Sequence, residues 1–261
     1  MSVIVKRIER PNKDLIHEFS GLGVATIHES TGKDLRAVMD AGIKPIEAGM
    51  RLSGPAITVD CFPQDNSTLH IAMTLCDPGD VLVVDAHGMQ SGMLGAQMAF
   101  QCVRRGIRGL IIDGGIRDAA EIKEMGFPCF SRHIHPLGTA KRTLGSINVP
   151  IRCGGVVVNP GDIVVGDDDG VAVVPKNIVP DVLERSKARN TKESKDRLLY
   201  EQGKTSMEML GLDKLLDADG VRIIEDEEDW KSRARRGAPH TQNASSRDRA
   251  RRGPRARSHA N

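Results

Sequence analysis

The chain has 261 residues, which is enough for one large domain or two small ones and for a substantial buried core. Aromatic residues contribute only 3% of the sequence, so aliphatic side chains and Met must fill most of that core. The formal net charge of +2 is unevenly divided, because residues 231–261 carry +9 and residues 1–230 carry −7. Since the larger part is mildly acidic, we do not expect it to bind nucleic acid.

The cysteines and the apolar segments exclude several classes of protein. The 5 cysteines are scattered and form no Cys-x-x-Cys pair, which favours buried reduced thiols over a disulfide framework or a zinc site. Residues 1–7 lack the apolar stretch of a signal peptide, and no uncharged apolar run is long enough to cross a bilayer. We therefore expect a soluble cytoplasmic protein without membrane contact.

Residues 8–42 are predicted to form two helices separated by glycines. The first helix carries Leu15, Ile16 and Phe19 at helical spacing, and Gly21-Leu22-Gly23 then interrupts the pattern. The second helix is expected to begin at Val24 and to extend its apolar face through Leu35, Val38 and Met39. His28 and Glu29 on this helix are candidates for a substrate pocket, although a lone His near a helix is more often structural.

From Pro45 onwards the sequence predicts strands alternating with helices. The predicted strands are residues 50–61, 81–85, 110–113 and 127–131, and the predicted helices are residues 66–73, 92–105 and 119–125. Asn66 is a plausible N-cap for the first of these helices. Strands and helices that alternate at this spacing are typical of βαβ units with a parallel sheet.

The strand at residues 110–113 leads into the most informative stretch of the chain. We expect it to end at Gly114-Gly115, where the backbone can turn sharply, with Arg117 and Asp118 following before a helix. Open α/β sheets commonly place ligand sites at this edge. Arg117 could grip a carboxylate and Asp118 could hold a hard divalent cation. The alternative is a surface salt bridge in which Asp118 caps the helix.

The second half of the chain favours antiparallel hairpins that close a barrel-like layer. Short apolar strands are predicted at residues 147–151, 156–158, 163–165 and 171–174. The acidic run Asp167-Asp168-Asp169 lacks the spacing of a calcium loop and is predicted to be a hairpin turn. Residues 177–210 are predicted to form a charged amphipathic helix that packs on a neighbour or crosses to another subunit.

The basic residues 231–261 lack any apolar period and are rich in Arg, Ser, Gly and Ala, a composition typical of disorder. Such a tail could also contact RNA or anionic lipid. We therefore predict one domain over residues 1–230 with a C-terminal helix, followed by a disordered tail over residues 231–261.

Several blocks of the sequence, in order, carry a family resemblance. They are GVATIHE (residues 23–29), GDVLVV (79–84), GLIIDGGIRD (109–118), GSINVPI (145–151) and PGDIVVGDDDGV (160–171). With these blocks the chain resembles the 4-hydroxy-4-methyl-2-oxoglutarate/4-carboxy-4-hydroxy-2-oxoadipate aldolases, within the wider group named after the regulator of ribonuclease activity A. The resemblance implies a layered α-β-β-α sandwich with a central β-barrel, assembled as homotrimers or homohexamers with sites between subunits.

The resemblance also implies an activity used in aromatic catabolism. It implies a class II aldolase that uses Mg²⁺ or Mn²⁺ to cleave a 4-hydroxy-2-oxo di- or tricarboxylate into pyruvate and an oxo-acid, with oxaloacetate decarboxylation as a side activity. Arg117 would bind the substrate and the developing enolate, and Asp118 would ligate the metal. The backbone of Gly95, Ala96, Gln97 and Met98 at a helix start would receive a substrate carboxylate. Glu193 would reach the metal from an adjacent subunit.

One position departs from the family pattern. Aldolase members carry an Asp where this chain has Ala96, and that carboxylate serves proton transfer at the metal-bound water. Asp85, His87 and Gln97 lie near in sequence and are candidates to replace it. Two other functions stay open: a metal-dependent tautomerase or isomerase of oxo-acids, and a non-catalytic binding protein that regulates a ribonuclease.

Overall fold

A mixed β-sheet lies at the centre of the computed structural model, which describes residues 1–32 and 37–235. Its strands, with those of a separate hairpin, are β1 (Lys44–Pro45), β2 (Leu52–Asp60), β3 (Val81–Asp85), β4 (Gly92–Leu94), β5 (Gly109–Ile116), β6 (Cys129–Ile134), β7 (Ser146–Ile147), β8 (Ile151–Cys153), β9 (Val156–Val158), β10 (Ile163–Asp167) and β11 (Gly170–Val174). The helices are α1 (Lys13–Phe19), α2 (Val24–Thr31), α3 (Ser67–Leu75), α4 (Ala96–Arg104), α5 (Ala119–Glu124), α6 (Val179–Glu201), α7 (Ser206–Leu210), α8 (Leu212–Ala218) and α9 (Glu227–Arg235).

The strand order confirms the predicted α/β class. The main sheet has the order β1-β6-β5-β3-β2-β10-β11, with β4 paired to β5 and β7 paired to β2. The neighbours β2, β3, β5 and β6 are mutually parallel, whereas β10 and β11 are antiparallel additions. Because β1 and β11, at the two ends of this order, approach each other, the sheet nearly closes into a barrel. The turn at Asp167 to Gly170 is the hairpin that the sequence predicts.

Both faces of the parallel strands are buried, and alternate residues enter different cores. Val81 and Val83 of β3 point into the barrel, where they join Ile111 and Phe130. Leu82, between them in sequence, joins the core that packs against α3 and α4. Successive residues of a strand point to opposite faces, so a strand that is covered on both faces is apolar along its whole length.

The predicted second helix is too long. Helix α2 ends at Thr31, and Gly32 after it has a φ of +103°, a conformation that side-chain-bearing residues rarely adopt. Val38 and Met39 are extended rather than helical, because they pair with the neighbourhood of Ala172 on β11. Leu35 lies outside the described residues. Pairing with the edge strand β11 therefore determines the conformation of Val38 and Met39, although their apolar spacing predicted a helix.

Two predictions around the central strand are also wrong. Gly114 and Gly115 do not form a turn but lie inside β5, which continues to Ile116. A Cβ added at Gly114 would lie 2.6 Å from the Cβ of Ala86, so glycine is needed here because another segment packs closely on the strand. The helix predicted over residues 92–105 begins only at Ala96, because Gly92–Leu94 form strand β4 beside β5.

The single helix predicted over residues 177–210 is divided into two α-helices in the structure. Helix α6 ends at Glu201, and α7 is a separate helix. Contacts divide the chain into two units, Met1–Leu198 and Leu199–Asn261. The predicted boundary between residues 230 and 231 stays a prediction, because the chain is described as helix α9 up to Arg235 and residues 236–261 lie outside the described residues. Across the described ranges, no helix combines the length and the apolarity that crossing a bilayer requires.

The cysteine prediction is confirmed. All five cysteines lie in the described part of the chain, and each is buried and free. Burial raises the pKa of the Cys61 thiol to about 12.

A buried carboxylate fixes the start of α3. Asp65 is only 2% exposed, and its Oδ1 accepts hydrogen bonds from the amide and hydroxyl of Ser67. Its Oδ2 accepts from the amides of Arg142 (2.6 Å) and Thr143 (2.9 Å), far along the chain. Burial disfavours the charge of Asp65, but these hydrogen bonds outweigh that effect and lower its pKa.

We expect Asp65→Asn to reduce the free energy of unfolding by about 2 kcal/mol at pH 7, because an amide cannot accept all four hydrogen bonds. The folded-state pKa of Asp65 is lowered, so its stabilisation is present above the unfolded-state pKa and is lost as the pH falls. Urea unfolding of both proteins from pH 7 to pH 3 should therefore show a gap that shrinks in acid. Asp169→Asn in the exposed turn between β10 and β11 is the control, and an equal gap at every pH would contradict this account.

Candidate functional site

Arg117 and Asp118 lie between the end of β5 and the start of α5, at the carboxyl edge of the parallel strands. The amide of Arg117 donates to the carbonyl oxygen of Leu94 at 2.9 Å, which continues the pairing of β4 with β5. This pairing brings the first residues of α4 next to the Arg-Asp pair. Segments more than twenty residues apart in sequence thus meet at one candidate site.

Asp118 caps a helix, but not the one that follows it in sequence. Its backbone is left-handed, with φ 58° and ψ 38°, and its side chain makes no hydrogen bond with α5. Instead, its Oδ2 accepts from the amide of Ala96 at 3.1 Å, at the N-terminus of α4. The positive end of the α4 dipole therefore faces this carboxylate. Among the described residues, Oδ1 of Asp118 has no hydrogen-bond partner, and the side chain is 40% exposed.

Arg117 makes only a loose ion pair with its neighbour. Its Nε lies 3.7 Å from Oδ2 of Asp118, a distance too long for a hydrogen bond, and its side chain is 47% exposed. Within the described chain the Nη atoms make no hydrogen bond or ion pair. A salt bridge between side chains this exposed contributes little to stability. The guanidinium fork is consequently available for a bidentate anionic ligand.

Gly95 makes this arrangement possible, because only glycine leaves enough space. A Cβ at this position would lie 2.5 Å from Oδ2 of Asp118 and 3.0 Å from Nε of Arg117. The first approach is closer than real Cβ contacts and the second is tighter than most of them, so any side chain would displace the Asp118 carboxylate or the Arg117 guanidinium.

One open depression borders the Arg117–Asp118 pair, and a second lies beside Ala96. One, of 330 Å³, is lined by Arg117, Asp118, Ile134, His135 and Pro136. The other, of 420 Å³, is lined by Ala96, Gln97, Phe100, Glu121, Glu124 and Met125. The sequence analysis did not identify His135 or Glu121. His135 follows the end of β6, next to β5 in the sheet, so the rule that parallel strands end at a common edge could have identified it.

The four backbone positions of the predicted carboxylate site are not equivalent. The amide of Ala96 donates to Asp118, and the amide of Met98 donates to the carbonyl oxygen of Gly95 at 3.0 Å. The side chain of Met98 is buried against Asn66. The amide of Gln97 has no partner among the described residues, so it is the amide best placed to bind an added ligand at this helix start.

The predicted residues of the outer helices lie in a different network. Arg189 forms ion pairs with Glu193 on its own helix, at 2.8 Å, and with Glu29 on α2. Within one chain no hydrogen bond or ion pair connects Glu193 with Arg117 or Asp118 among the described residues. His28 is half-buried, and its Nδ1 is a buried atom without a partner in the described chain.

Two of the proposed replacements for the carboxylate missing at Ala96 lie elsewhere. Asp85 and His87 form a group with Asp60 in which His87 Nε2 is 3.2 Å from Asp60 Oδ1. They line neither depression, whereas Gln97 lines the depression beside Ala96. Burial and the neighbouring carboxylates of Asp60 and Asp113 raise the pKa of Asp85, although His87 partly opposes this.

The comparisons with known proteins agree on one family. Residues 24–173 match the RraA-like family model, described as Aldolase/RraA. A protein of Halalkalibacterium halodurans named "Putative 4-hydroxy-4-methyl-2-oxoglutarate aldolase" is 36% identical over 177 residues, covering 67% of this chain and 83% of the relative. An uncharacterized protein of Methanocaldococcus jannaschii is 32% identical over 216 residues, covering 82% of this chain and all of the relative.

A solved structure extends the comparison to the fold. Streptomyces coelicolor RraAS2, described as an unusual member of the RNase ES inhibitor RraA protein family, has a TM-score of 0.65 and 31% identity. The match covers 72% of this chain and 99% of that protein.

We expect Gly95→Ala to separate Asp118 from the N-terminus of α4, because the new Cβ takes the space of the carboxylate. The variant should lose about 1–3 kcal/mol of stability, and the Ala96 amide should exchange with deuterium faster. Gly138→Ala is the matched control, since a Cβ there meets nothing within 4 Å. Unchanged exchange at Ala96 in the Gly95 variant would contradict the described contact.

Proposed function

The chain belongs to the RraA-like family, and we propose on this basis that it is a carbon–carbon lyase that cleaves a 4-hydroxy-2-oxo di- or tricarboxylate to pyruvate and a second oxo-acid. The aldolase name of the Halalkalibacterium halodurans relative supports the reaction class. The observation that carries the proposal is the half-exposed Arg117 guanidinium next to Asp118 at the start of α4, where Oδ1 of Asp118 and the amide of Gln97 have no hydrogen-bond partner among the described residues. Asp118 can bind a divalent cation, and Arg117 and the Gln97 amide can bind a substrate that carries several carboxylates.

The residues present fit a hard divalent cation. Asp118 lines an open depression with room for water ligands and offers one carboxylate oxygen that has no hydrogen-bond partner in the described part of the chain. Asp118 would hold Mg²⁺ or Mn²⁺, and the cation would supply electron withdrawal at the keto oxygen of the substrate. The side chain of Ala96 offers no ligand atom, so in one chain Asp118 is the carboxylate on which binding depends.

Arg117 would act on the substrate directly. Its fork would bind the carboxylate next to the keto group and donate to the keto oxygen, which gains charge as the C3–C4 bond breaks. The amide of Gln97 would bind a second carboxylate at the N-terminus of α4, where the helix dipole also attracts anions. Together these contacts would fix the orientation of the bond that breaks.

Cleavage also needs a base for the 4-hydroxyl proton, and Ala96 cannot provide one. Glu121 lines the depression beside Ala96 and is exposed, and its side chain has no hydrogen-bond or ion-pair partner among the described residues. It lies one helical turn beyond Asp118, on the side of α5 that borders this depression. We infer that Glu121 takes the hydroxyl proton as the C3–C4 bond breaks, and that a proton then returns to C3 of the enolate to give pyruvate.

Association of subunits belongs to the same proposal. Helix α4 presents Phe100, which is 54% exposed, and Val103, which is 43% exposed. Large apolar side chains on the surface beside a site are typical of an interface. In a trimer or hexamer, Glu193 of a neighbouring subunit would then be free to approach Asp118 in place of its Arg189 pair.

A second candidate function is regulation of a ribonuclease, and the Streptomyces relative described within an RNase inhibitor family favours it. The net −7 of residues 1–230 suits a basic partner surface. Co-elution with a ribonuclease and its inhibition, without pyruvate release from any oxo-acid, would support this function over the lyase.

We expect pyruvate release from 4-hydroxy-4-methyl-2-oxoglutarate or 4-carboxy-4-hydroxy-2-oxoadipate to require Mg²⁺ or Mn²⁺. Arg117→Lys should lower kcat by about 10²–10³-fold, because a point charge replaces a fork that contacts the developing oxyanion. Asp118→Asn should abolish the dependence of the rate on added metal. A coupled assay for pyruvate measures both effects, with Arg104→Lys on the exposed surface of α4 as the control.

Absence of pyruvate from both substrates and from oxaloacetate, at metal concentrations that saturate binding, would contradict the lyase. Equal activity of Arg117→Lys and wild type would contradict the assigned role of Arg117.

We expect Glu121→Gln to lower kcat by about 100-fold with little change in KM, because a neutral amide cannot accept the hydroxyl proton. Glu124→Gln, on the same helix but farther along the chain from Asp118, should stay within about twofold of wild type. If both variants behave alike, Glu121 is not the base.

A further inference from the structure

A second cluster of metal-ligand side chains lies at the same sheet edge but outside both depressions. Asp60 ends β2 and Asp85 ends β3, and the two are direct partners in the parallel register. Asp113 of β5 is the next partner in that row. His87 follows Asp85 by two residues and contacts both Asp60 and Asp85.

Cationic side chains do not neutralise Asp60, Asp85 and Asp113 equally. Asp113 has its own cation, because Arg132 Nε lies 2.5 Å from its Oδ1, and the amide of Gly154 donates to its Oδ2 at 2.9 Å. Asp60 and Asp85 have no Lys or Arg partner among the described residues. The side chain that contacts both of them is His87, whose Nε2 is 3.2 Å from Asp60 and whose Nδ1 is 3.6 Å from Asp85.

We propose that Asp60, Asp85 and His87 form a binding site for a first-row transition-metal dication such as Zn²⁺, Co²⁺ or Mn²⁺. In the described ranges, these three residues offer one ligand atom each with all three atoms within 4.8 Å of one another. Bonds of about 2.0–2.2 Å bring ligand atoms to within roughly 4.4 Å across one ion. The side chains of Asp60 and His87 are 42% and 46% exposed, so small rotations close the remaining gap.

The ligand atoms set the selectivity. Imidazole nitrogen binds Zn²⁺, Co²⁺ and Mn²⁺ far better than it binds Mg²⁺, which prefers oxygen. The Oδ1 of Asp85 accepts from the amide of His87 at 2.8 Å, so its Oδ2 is the oxygen left for the ion. With three protein ligands, the remaining positions are open to water or to an anion.

This site is independent of the proposed lyase function. Asp60, Asp85 and His87 border neither the Arg117 depression nor the one beside Ala96. A bound ion would tie the ends of β2 and β3 to the start of the loop that leads to β4 and α4. Its removal is therefore expected to loosen that loop without removing a group from the cleft.

The test uses the full chain, stripped with a chelator and titrated with Co²⁺ while visible absorption is recorded. His87→Asn removes the imidazole but keeps a residue that tolerates the φ of +55° at this position. We expect this variant to bind Co²⁺ at least about 100-fold more weakly than wild type at one site. Asp118→Asn and the exposed His17→Asn should retain that site, and excess Mg²⁺ should not displace the Co²⁺.

Asp60→Asn provides a second variant that leaves the left-handed residue untouched, and its circular dichroism and melting curve establish folding. It should show the same loss of Co²⁺ affinity. Equal Co²⁺ binding by wild type and by both folded variants would overturn the proposal. So would absence of Co²⁺, Zn²⁺ and Mn²⁺ binding by wild type, or loss of the absorption in Asp118→Asn alone.

Discussion

The hydrogen bond from the Ala96 amide to the Asp118 carboxylate is the contact on which the candidate site depends. It exists because β4 pairs with β5, which places the start of α4 beside the end of the central strand. It requires glycine at position 95 and a left-handed backbone at Asp118. A non-glycine residue in that conformation carries a conformational cost, which the surrounding strand pairing must offset. The same contact keeps one carboxylate oxygen occupied and leaves the other available.

The sequence predicted the parts of the fold that local patterns determine. Strands β2, β3 and β5 and helices α3 and α5 follow from apolar runs, alternation and helix-start signals. These signals lie in residues that are close in sequence, so no distant contact is needed to recognise them. The hairpin pattern of the second half and the family resemblance both predicted a barrel, and the nearly closed sheet confirms it. Errors occurred where a distant partner decides the conformation: Val38 joins β11, Gly92–Leu94 join β5, and Gly114 stays in its strand beneath Ala86.

The candidate site was predictable to a different degree. Arg117 and Asp118 were identified from their position after a buried strand, but their partner at Ala96 came from the family pattern alone. The residues close to Asp118 in sequence do not indicate that its carboxylate caps α4, the helix that precedes β5. Glu121 and His135 were missed because each depends on which surface faces a depression, a property of packing rather than of spacing. Asp60 was missed because only the parallel register reveals that it adjoins Asp85.

The central claim is that Asp118, the amides at the start of α4 and Arg117 jointly hold a cation and an oxo-acid. A crystal structure with Mn²⁺ and oxalate, a mimic of the pyruvate enolate, tests it most directly, because the anomalous signal of Mn²⁺ locates the ion. The account predicts Mn²⁺ against Oδ1 of Asp118, with oxalate between the Arg117 guanidinium and the Gln97 amide. Oxalate and its associated Mn²⁺ bound away from Arg117 and Asp118, with this cleft occupied only by water, would contradict it.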